Sequence, residues 1–408
     1  MIKINKTLGL ALLTALAGSC SSDNDVAQSN NPTFEKGESA FATIRINLPT
    51  QQGTRAAKFE DGLNSEYAVN DGTLLVFKKA GKSEGDYTFV QSVDLGTMTP
   101  WSNVGEPGVT TTTYTTVQLD KTSYDDLKNG DIYGLVILNN GTGTAQKITL
   151  PTKDQTFSAW NNDASKVNAT NMLATSNGIV MANAPEWKES GKAPLTLVPI
   201  DKYKVYTTAA QAEAVTDVAA NIYVERGLAK VTMEKDKDAK NAFFPKGSYN
   251  GDEVIIKGWV LDVTNKSSFP VHNVVDLDKD YGDIWKNDDS KTTAPTFNRF
   301  HDATVVTPSE EEDEPTNYFR RVYWGKDPNY NTAITDAKTA FNLATTADLE
   351  TAAAQAFGDD NPKYCLENTF DIDHMKQNQT TRVLFKAIYL PGKMTFEPDK
   401  ITKGETFY

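Results

Sequence analysis

The sequence is poor in the residues that carry chemistry. Its 408 residues include two cysteines and three histidines. Cys20 falls in a targeting segment, so Cys365 is left without an intrachain partner and no disulfide framework follows. A small buried residue is the expectation for Cys365. His272, His301 and His374 lie far apart, and none stands in an HxxxH spacing or beside a CxxC. There is no GxSxG, no GxxxxGK[ST], no HExxH and no GxGxxG after a strand. No acid, base or nucleophile stands in a named role, so the expectation is a non-enzyme with no cofactor. Positive charge is also short. Lys and Arg number 41 against 54 Asp and Glu, a net charge of -13. That balance argues against nucleic acid or an anionic membrane surface as a partner. The apolar run Leu8 to Leu16 is too short to span a membrane.

What is present begins with that run. Lys3 and Lys6 give a positive start, LGLALLTAL is the apolar centre, and Ala17-Gly18-Ser19-Cys20 closes it. This is a secretory signal peptide over residues 1–19. The Cys at the cleavage point makes it resemble a bacterial lipoprotein signal, in which the Cys20 thiol is acylated. An ordinary signal peptide with an incidental Cys is the other reading. Ser21 to Asp25, short and acidic, resembles the tag that sends Bacteroidales lipoproteins to the outer face of the outer membrane.

The body reads as β structure. Aromatics make up 10% of the chain, and Thr, Val and Tyr are common. Phe41 to Leu48 alternates cleanly. Ala42, Ile44, Ile46 and Leu48 face one way, and Phe41, Thr43, Arg45 and Asn47 the other. Pro49 ends this strand, and a polar segment leads to Arg55-Ala56. Further strands are expected over Thr73–Phe77, Tyr87–Val93, Val109–Leu119, Asp131–Leu138, Gly178–Ala182 and Pro194–Ile200. The continuous apolar run at Thr73–Phe77 places that strand inside a sheet. Asn221 to Met233 reads as one long strand, with Ile222, Val224, Arg226 and Leu228 on one side and a register shift near Gly227. Glu253–Val263, Asn317–Trp324 and Thr380–Tyr389 follow. Helical or irregular stretches are expected at Thr156–Leu173, Ala209–Ala220 and Thr335–Phe357. The length allows two or three domains with full cores.

Two other features invite a ligand. Asp276, Asp278 and Asp280 alternate before Asp283, as in a loop that surrounds Ca2+ with carboxylates. Gly282 comes one position late for an EF-hand and Asn287 stands where the closing acid belongs, so a solvated Asp/Gly turn is the expectation and no metal is assigned. Glu310 to Glu314 reads as a solvated acidic loop. Six tryptophans, Trp101, Trp160, Trp187, Trp259, Trp285 and Trp324, could stack on a glycan, but they share no repeated motif and packing roles are expected.

The order of several stretches resembles the Bacteroidales fimbrillins, FimA-type and Mfa-like. These are the lipoprotein signal, the strand before Thr54-Arg55-Ala56, DIYGLVILNNGTG (Asp131–Gly143), GIVMANAP (Gly178–Pro185) and NIYVERGLAKVTM (Asn221–Met233). The run YCLENTFDIDHMKQNQTTRVLFKAIYLPG (Tyr364–Gly392) is similar to the Mfa-like, minor-fimbrium branch. The resemblance implies an all-β chain of two transthyretin-like β-sandwich domains with a few short helices, over 56–222 and 223–408. It implies a lipoprotein pilus subunit that holds residues 20–55 as a propeptide and is cut by an Arg-specific protease after Arg55. Arg45 lies inside the strand, where backbone pairing protects it. The removed strand then gives way to one from a neighbouring subunit, and the contact grows a filament. The implied partners are copies of itself or related subunits, the outer membrane through the lipid before maturation, and surface ligands of host or bacteria. Mfa-like subunits continue past the equivalent of Tyr408 with further strands, and here the last residues are KITKGETFY. A truncated chain is the expectation, with a different polymerisation device or a fibre-ending role as alternatives. Competing readings are a lipid-anchored glycan-binding protein and an anchor or tip of the same pilus.

Overall fold

The computed structural model describes residues 40–48, 63, 66, 68–97, 111–120, 131–187, 195–234, 253–275, 320–321, 325–330, 332–350, 356–369 and 379–390. Within them the chain is all-β with short helices, as expected. Its first half supplies β1 (Ala40–Leu48), β2 (Asp71–Lys78), β3 (Thr88–Thr97), β4 (Thr111–Leu119), β5 (Ile132–Leu138), β6 (Met181–Asn183), β7 (Glu186–Trp187), β8 (Val198–Pro199), β9 (Val205–Tyr206) and β10 (Ala220–Arg226).

Nine of these ten strands form one sheet in the order β3-β2-β5-β6-β10-β1-β4, with β8 beside β5 and β9 beside β1. The sheet curls until its two ends meet. Gln91 of β3 donates from Nε2 to the Gln118 carbonyl at 3.4 Å, and its Oε1 accepts from the Asp120 N–H at 2.9 Å. The end strands meet through this side chain and not through a backbone ladder, and the curled sheet buries one face. That inner face holds Ala40, Ala42, Ile44, Ile46 and Leu48 of β1 with Leu74, Val76, Val117, Leu119, Val136, Met181, Ile222 and Val224.

The continuous apolar runs have a simple cause. β2 and β5 are covered on both faces. Leu74 and Val76 point into the closed sheet, while Leu75 and Phe77 point the other way into a second cluster. Leu135 and Ile137 of β5 do the same. Two short helices roof that second cluster, α1 (Phe157–Asn161) and α2 (Ala169–Leu173), capped by Thr156 and Asn168. Phe77 meets Phe89 and Phe157 edge-on, with ring centres 5.7 and 5.6 Å apart. Trp160 is fully buried there and donates from Nε1 to the Thr149 carbonyl at 2.8 Å.

The stretch 221–233 departs from the sequence reading. It is two strands, because β10 stops at Arg226 and β11 (Ala229–Val231) joins a different sheet. At the break the Gly227 N–H donates to the Val180 carbonyl at 2.8 Å, and a Cβ there would lie 3.0 Å from Val180 Cγ1. The tight passage turns the chain, so Leu228 enters the second cluster instead of continuing the line of Ile222 and Val224. Two shorter departures accompany it. Among the described residues 195–200 only Val198–Pro199 is strand, and the Gly178–Ala182 strand is shifted to Met181–Asn183.

The second half supplies β12 (Glu253–Asp262), β13 (Thr264–Asn265), β14 (Arg320–Arg321), β15 (Phe341–Asn342), β16 (Lys363–Cys365) and β17 (Arg382–Leu390). They pair two by two, β11 with β16, β12 with β17, β13 with β15 and β14 with β7. Buried Trp259 donates to the Ala356 carbonyl at 3.0 Å. Three further short helices complete the description, α3 (Ala209–Glu213), α4 (Ala337–Ala340) and α5 (Thr346–Glu350). Val271 and Leu366 join the second cluster, so the later half packs on the outside of the closed sheet.

Asn139 is the tie between β2, β5 and the loop before β6. It adopts φ +57°, and its side chain is fully buried. Its Oδ1 accepts from the Asn70 N–H at 2.8 Å, and its Nδ2 donates to the carbonyls of Ala68 and Ile179 at 2.8 and 2.7 Å. Gly178, at φ +81°, makes room, since a Cβ there would stand 2.6 Å from the Asn139 amide carbon. Asn139→Ala strands the buried Ile179 carbonyl, removes the partly buried bonds to Asn70 and Ala68, and loses a residue suited to positive φ. It should lower the unfolding free energy in urea titration by about 2–4 kcal/mol. A loss below about 0.5 kcal/mol would contradict this.

Candidate functional site

The site that the sequence singled out is β1 and the slot it fills. Its alternation is borne out, since Ala40, Ala42, Ile44, Ile46 and Leu48 are all buried. The strand is not an edge. Along its whole length it pairs antiparallel with β4, from Ala40 opposite Leu119 to Leu48 opposite Thr111. Its other side is shared. Phe41 and Ala42 pair with β9, and Ile44 to Asn47 run parallel to β10 opposite Ala220 to Tyr223. Between them the Ala219 N–H donates to the Thr43 carbonyl at 2.8 Å. β1 is therefore the one strand that closes the sheet between β10 and β4.

The energy in this seam is large for the domain. Burying Ile44, Ile46 and Leu48 contributes about 1.5–3 kcal/mol each, before any backbone pairing is counted. The sum is of the order of a domain's whole net stability, about 5–15 kcal/mol. A slot emptied of β1 and left unfilled is thus a marginally stable state that favours refilling.

The outward face is more built than the sequence suggested. Thr43 is 6% exposed and Asn47 only 1%. The Thr43 hydroxyl donates to the Ala212 carbonyl in α3 at 2.7 Å and lies 2.9 Å from the Thr116 hydroxyl. Asn47 Nδ2 donates to Asn221 Oδ1 at 2.7 Å and to the Ile222 carbonyl at 3.2 Å, and Asn47 Oδ1 accepts from the Thr112 hydroxyl at 3.0 Å. Arg45 sits mid-strand opposite Tyr114 and Asn221, with its guanidinium 5.7 Å from the Tyr114 ring centre. Phe41 is half-buried on this face.

The chain just before β2 is held separately. Glu66 is buried, accepts from the Leu63 N–H at 2.6 Å and pairs with Lys230 Nζ at 3.3 Å. The Tyr364 hydroxyl also bonds its carboxylate, and Arg226 Nε donates to its backbone carbonyl at 3.0 Å. None of these partners belongs to β1. These polar anchors of the chain before β2 are therefore made without the first strand.

Other sequence candidates fall elsewhere. Cys20, Arg55, Ala56, Asp276, Asp278 and Asp280 lie outside the described residues, as do Trp101, Trp285 and Trp324. Among the described residues no group of three or more His, Cys, Asp or Glu is placed to hold a metal ion. Trp160 and Trp259 are buried and present no platform to a glycan. Cys365 is buried, and burial pushes its thiol up, as suits a packing residue.

A buried polar cluster in the later half was missed. His272 Nδ1 lies 2.8 Å from Glu367 Oε1, which also accepts from the Gly325 N–H at 2.9 Å. Burial alone would lower the His272 pKa, but the Glu367 carboxylate and then Glu225 outweigh it, and the net shift is upward. Nearby, Asp327 accepts from the backbone N–H groups of Asn329 and Thr369. Its carboxyl is pushed up to about 7, chiefly by burial and further by Glu367, against the opposing pull of its hydrogen bonds. The cluster joins segments nearly a hundred residues apart, which no local pattern announces.

No protein-family model matches the chain, and no curated protein matches it. Similar solved structures include a fimbrial assembly protein from Parabacteroides distasonis, at 11% identity and a TM-score of 0.26, over 58% of this chain and 67% of that one. A fimbrilin from Porphyromonas gingivalis aligns at 13% identity and a TM-score of 0.21, over 57% of this chain and 52% of its own.

Asp327 gives a pH signature. The folded protein holds its proton up to about pH 7, whereas the unfolded chain releases it near 3.8. Its contribution is complete below the unfolded value and is lost as pH rises through the folded one. Wild type should lose stability relative to Asp327→Asn between about pH 4 and about pH 7 in urea unfolding, and level off above. Parallel curves for the two proteins would contradict the assignment.

Proposed function

We propose that the chain is a structural subunit of a cell-surface fimbria serving adhesion. It is exported as a lipoprotein acylated at Cys20 and held at the outer membrane by that lipid. An Arg-specific protease cuts between Arg55 and Ala56. The body that remains then assembles with copies of itself or related subunits. The protein is not an enzyme in this reading. The slot offers backbone groups and apolar pockets, and it acts by pairing.

The observation that carries the reading is the place of β1. It is the strand that closes the sheet, and it precedes the segment that contains Arg55. One cut there disconnects β1 from β2 without severing any other described strand. Arg45 is a poor alternative cut site, because its backbone is paired on both sides. Loss of β1 exposes two unpaired edges, β4 and β10, and an apolar groove between them. A strand from another subunit can supply both the backbone pairs and the alternating side chains. Donor and acceptor are different surfaces, so the contact does not close on itself and a filament grows. The motif order shared with the fimbrillins supports the same assignment.

The test uses the purified full chain and an Arg-specific protease, read by N-terminal sequencing and by size. Wild type should yield an N-terminus at Ala56 and form ladders or fibres, while Arg55→Ala should keep its first strand and remain monomeric. Recovering only acylated Cys20 as the N-terminus after exposure would overturn the maturation step.

A further inference from the structure

The inner face of β1 cannot by itself fix where a strand sits in the slot. Side chains alternate with period two, so a slip of two residues returns every apolar residue to the inside. The interior does grade the positions, with Ala40 and Ala42 at one end and Ile44, Ile46 and Leu48 at the other. A small residue in a large pocket is still a tolerated misfit compared with a one-residue slip.

The outer face discriminates more sharply. The Ala212 carbonyl lies in a helix too short to satisfy its own last carbonyl groups, and Ala212 is fully buried. Its partner across the sheet is the Thr43 hydroxyl. The Asn47 site demands both functions of an amide, donors toward Asn221 and the Ile222 carbonyl and an acceptor for the Thr112 hydroxyl. A two-residue slip in one direction would bring Arg45 to the Asn47 site, and a guanidinium has no acceptor to offer Thr112. The same slip would bring Phe41 to the Thr43 site, where a phenyl ring cannot bond the Ala212 carbonyl.

We infer that the slot selects its incoming strand through these two outward polar positions as well as through its apolar pockets. This rests on the reading that β1 is replaced. The partner is a strand of another polypeptide that runs antiparallel to β4 and parallel to β10. It carries small residues at the first two inward places and branched aliphatic ones at the last three. It places a hydroxyl where Thr43 stands and a carboxamide four residues later, where Asn47 stands. Thr43 and Asn47 set the register, and strands with the right apolar alternation but no such pair are rejected.

The test is competition by labelled nonapeptides for the full chain nicked behind Arg55, with the β1 fragment still in place, in urea below the unfolding transition. Uptake is read by native mass spectrometry. Three peptides are compared: the native 40–48 sequence, one with Thr43→Ser, and one with Thr43→Val and Asn47→Leu. The native and Ser peptides should displace β1 at similar concentrations. The Val/Leu peptide should need about tenfold more or worse, because it leaves buried polar groups unpaired. Equal displacement by the native and Val/Leu peptides would overturn the inference while leaving strand replacement intact. Failure of every peptide, the native one included, would overturn the replaceable-strand reading and this inference with it.

Discussion

The described fold depends on one pairing constraint. The long sheet of the first half closes only because β1 bridges β10 and β4. Every other neighbour pair on that path joins strands that follow β1 in the chain. The keystone is therefore the first described strand, and its only covalent link to the rest lies beyond Leu48. A closing strand with that placement joins high burial energy to easy disconnection. The first makes the slot intolerant of vacancy, and the second lets its occupant change.

The rest of the architecture keeps the slot ready. β2 and β5 stand at the centre with both faces covered, gripped on the outside by the aromatic cluster of Phe77, Phe89, Phe157 and Trp160. The Glu66 anchor and the Asn139 tie hold the start of β2 to β10, β11, β16 and the loop before β6 through groups that β1 does not share. The part of the fold that must persist thus has polar anchors and a second cluster of its own, in addition to the inner cluster it shares with β1. The His272–Glu367 pair and Asp327 gather the loops of the later half and lie apart from the β1 slot.

Much of this was legible in the sequence. The alternation of Phe41–Leu48, the double-faced run at Thr73–Phe77 and the hairpin partner after it are local patterns, and the structure places them as read. Thr43 and Asn47, outward on β1, were legible only as polar. Their burial comes from α3 and from Thr112, Thr116 and Asn221, which lie far away in sequence, and period-two reasoning cannot tell a covered outer face from a solvated one. The stretch 221–233 had the composition of one strand. A close approach of Gly227 to Val180 divides it, and that contact has no local signal beyond the glycine itself. His272 looked isolated because its partner is Glu367.

The most direct measurement is amide hydrogen exchange along β4 and β10 in the intact chain, in a cleaved monomer lacking residues 40–55, and in the assembled form. Residues 112–118 and 221–225 should exchange slowly in the intact chain and rapidly once β1 is gone, then regain protection on assembly, while 74–77 and 133–137 remain the better protected set in the cleaved monomer. Full protection of β4 and β10 in a monomer without β1 would contradict the account, because it would mean that the sheet closes without its bridging strand.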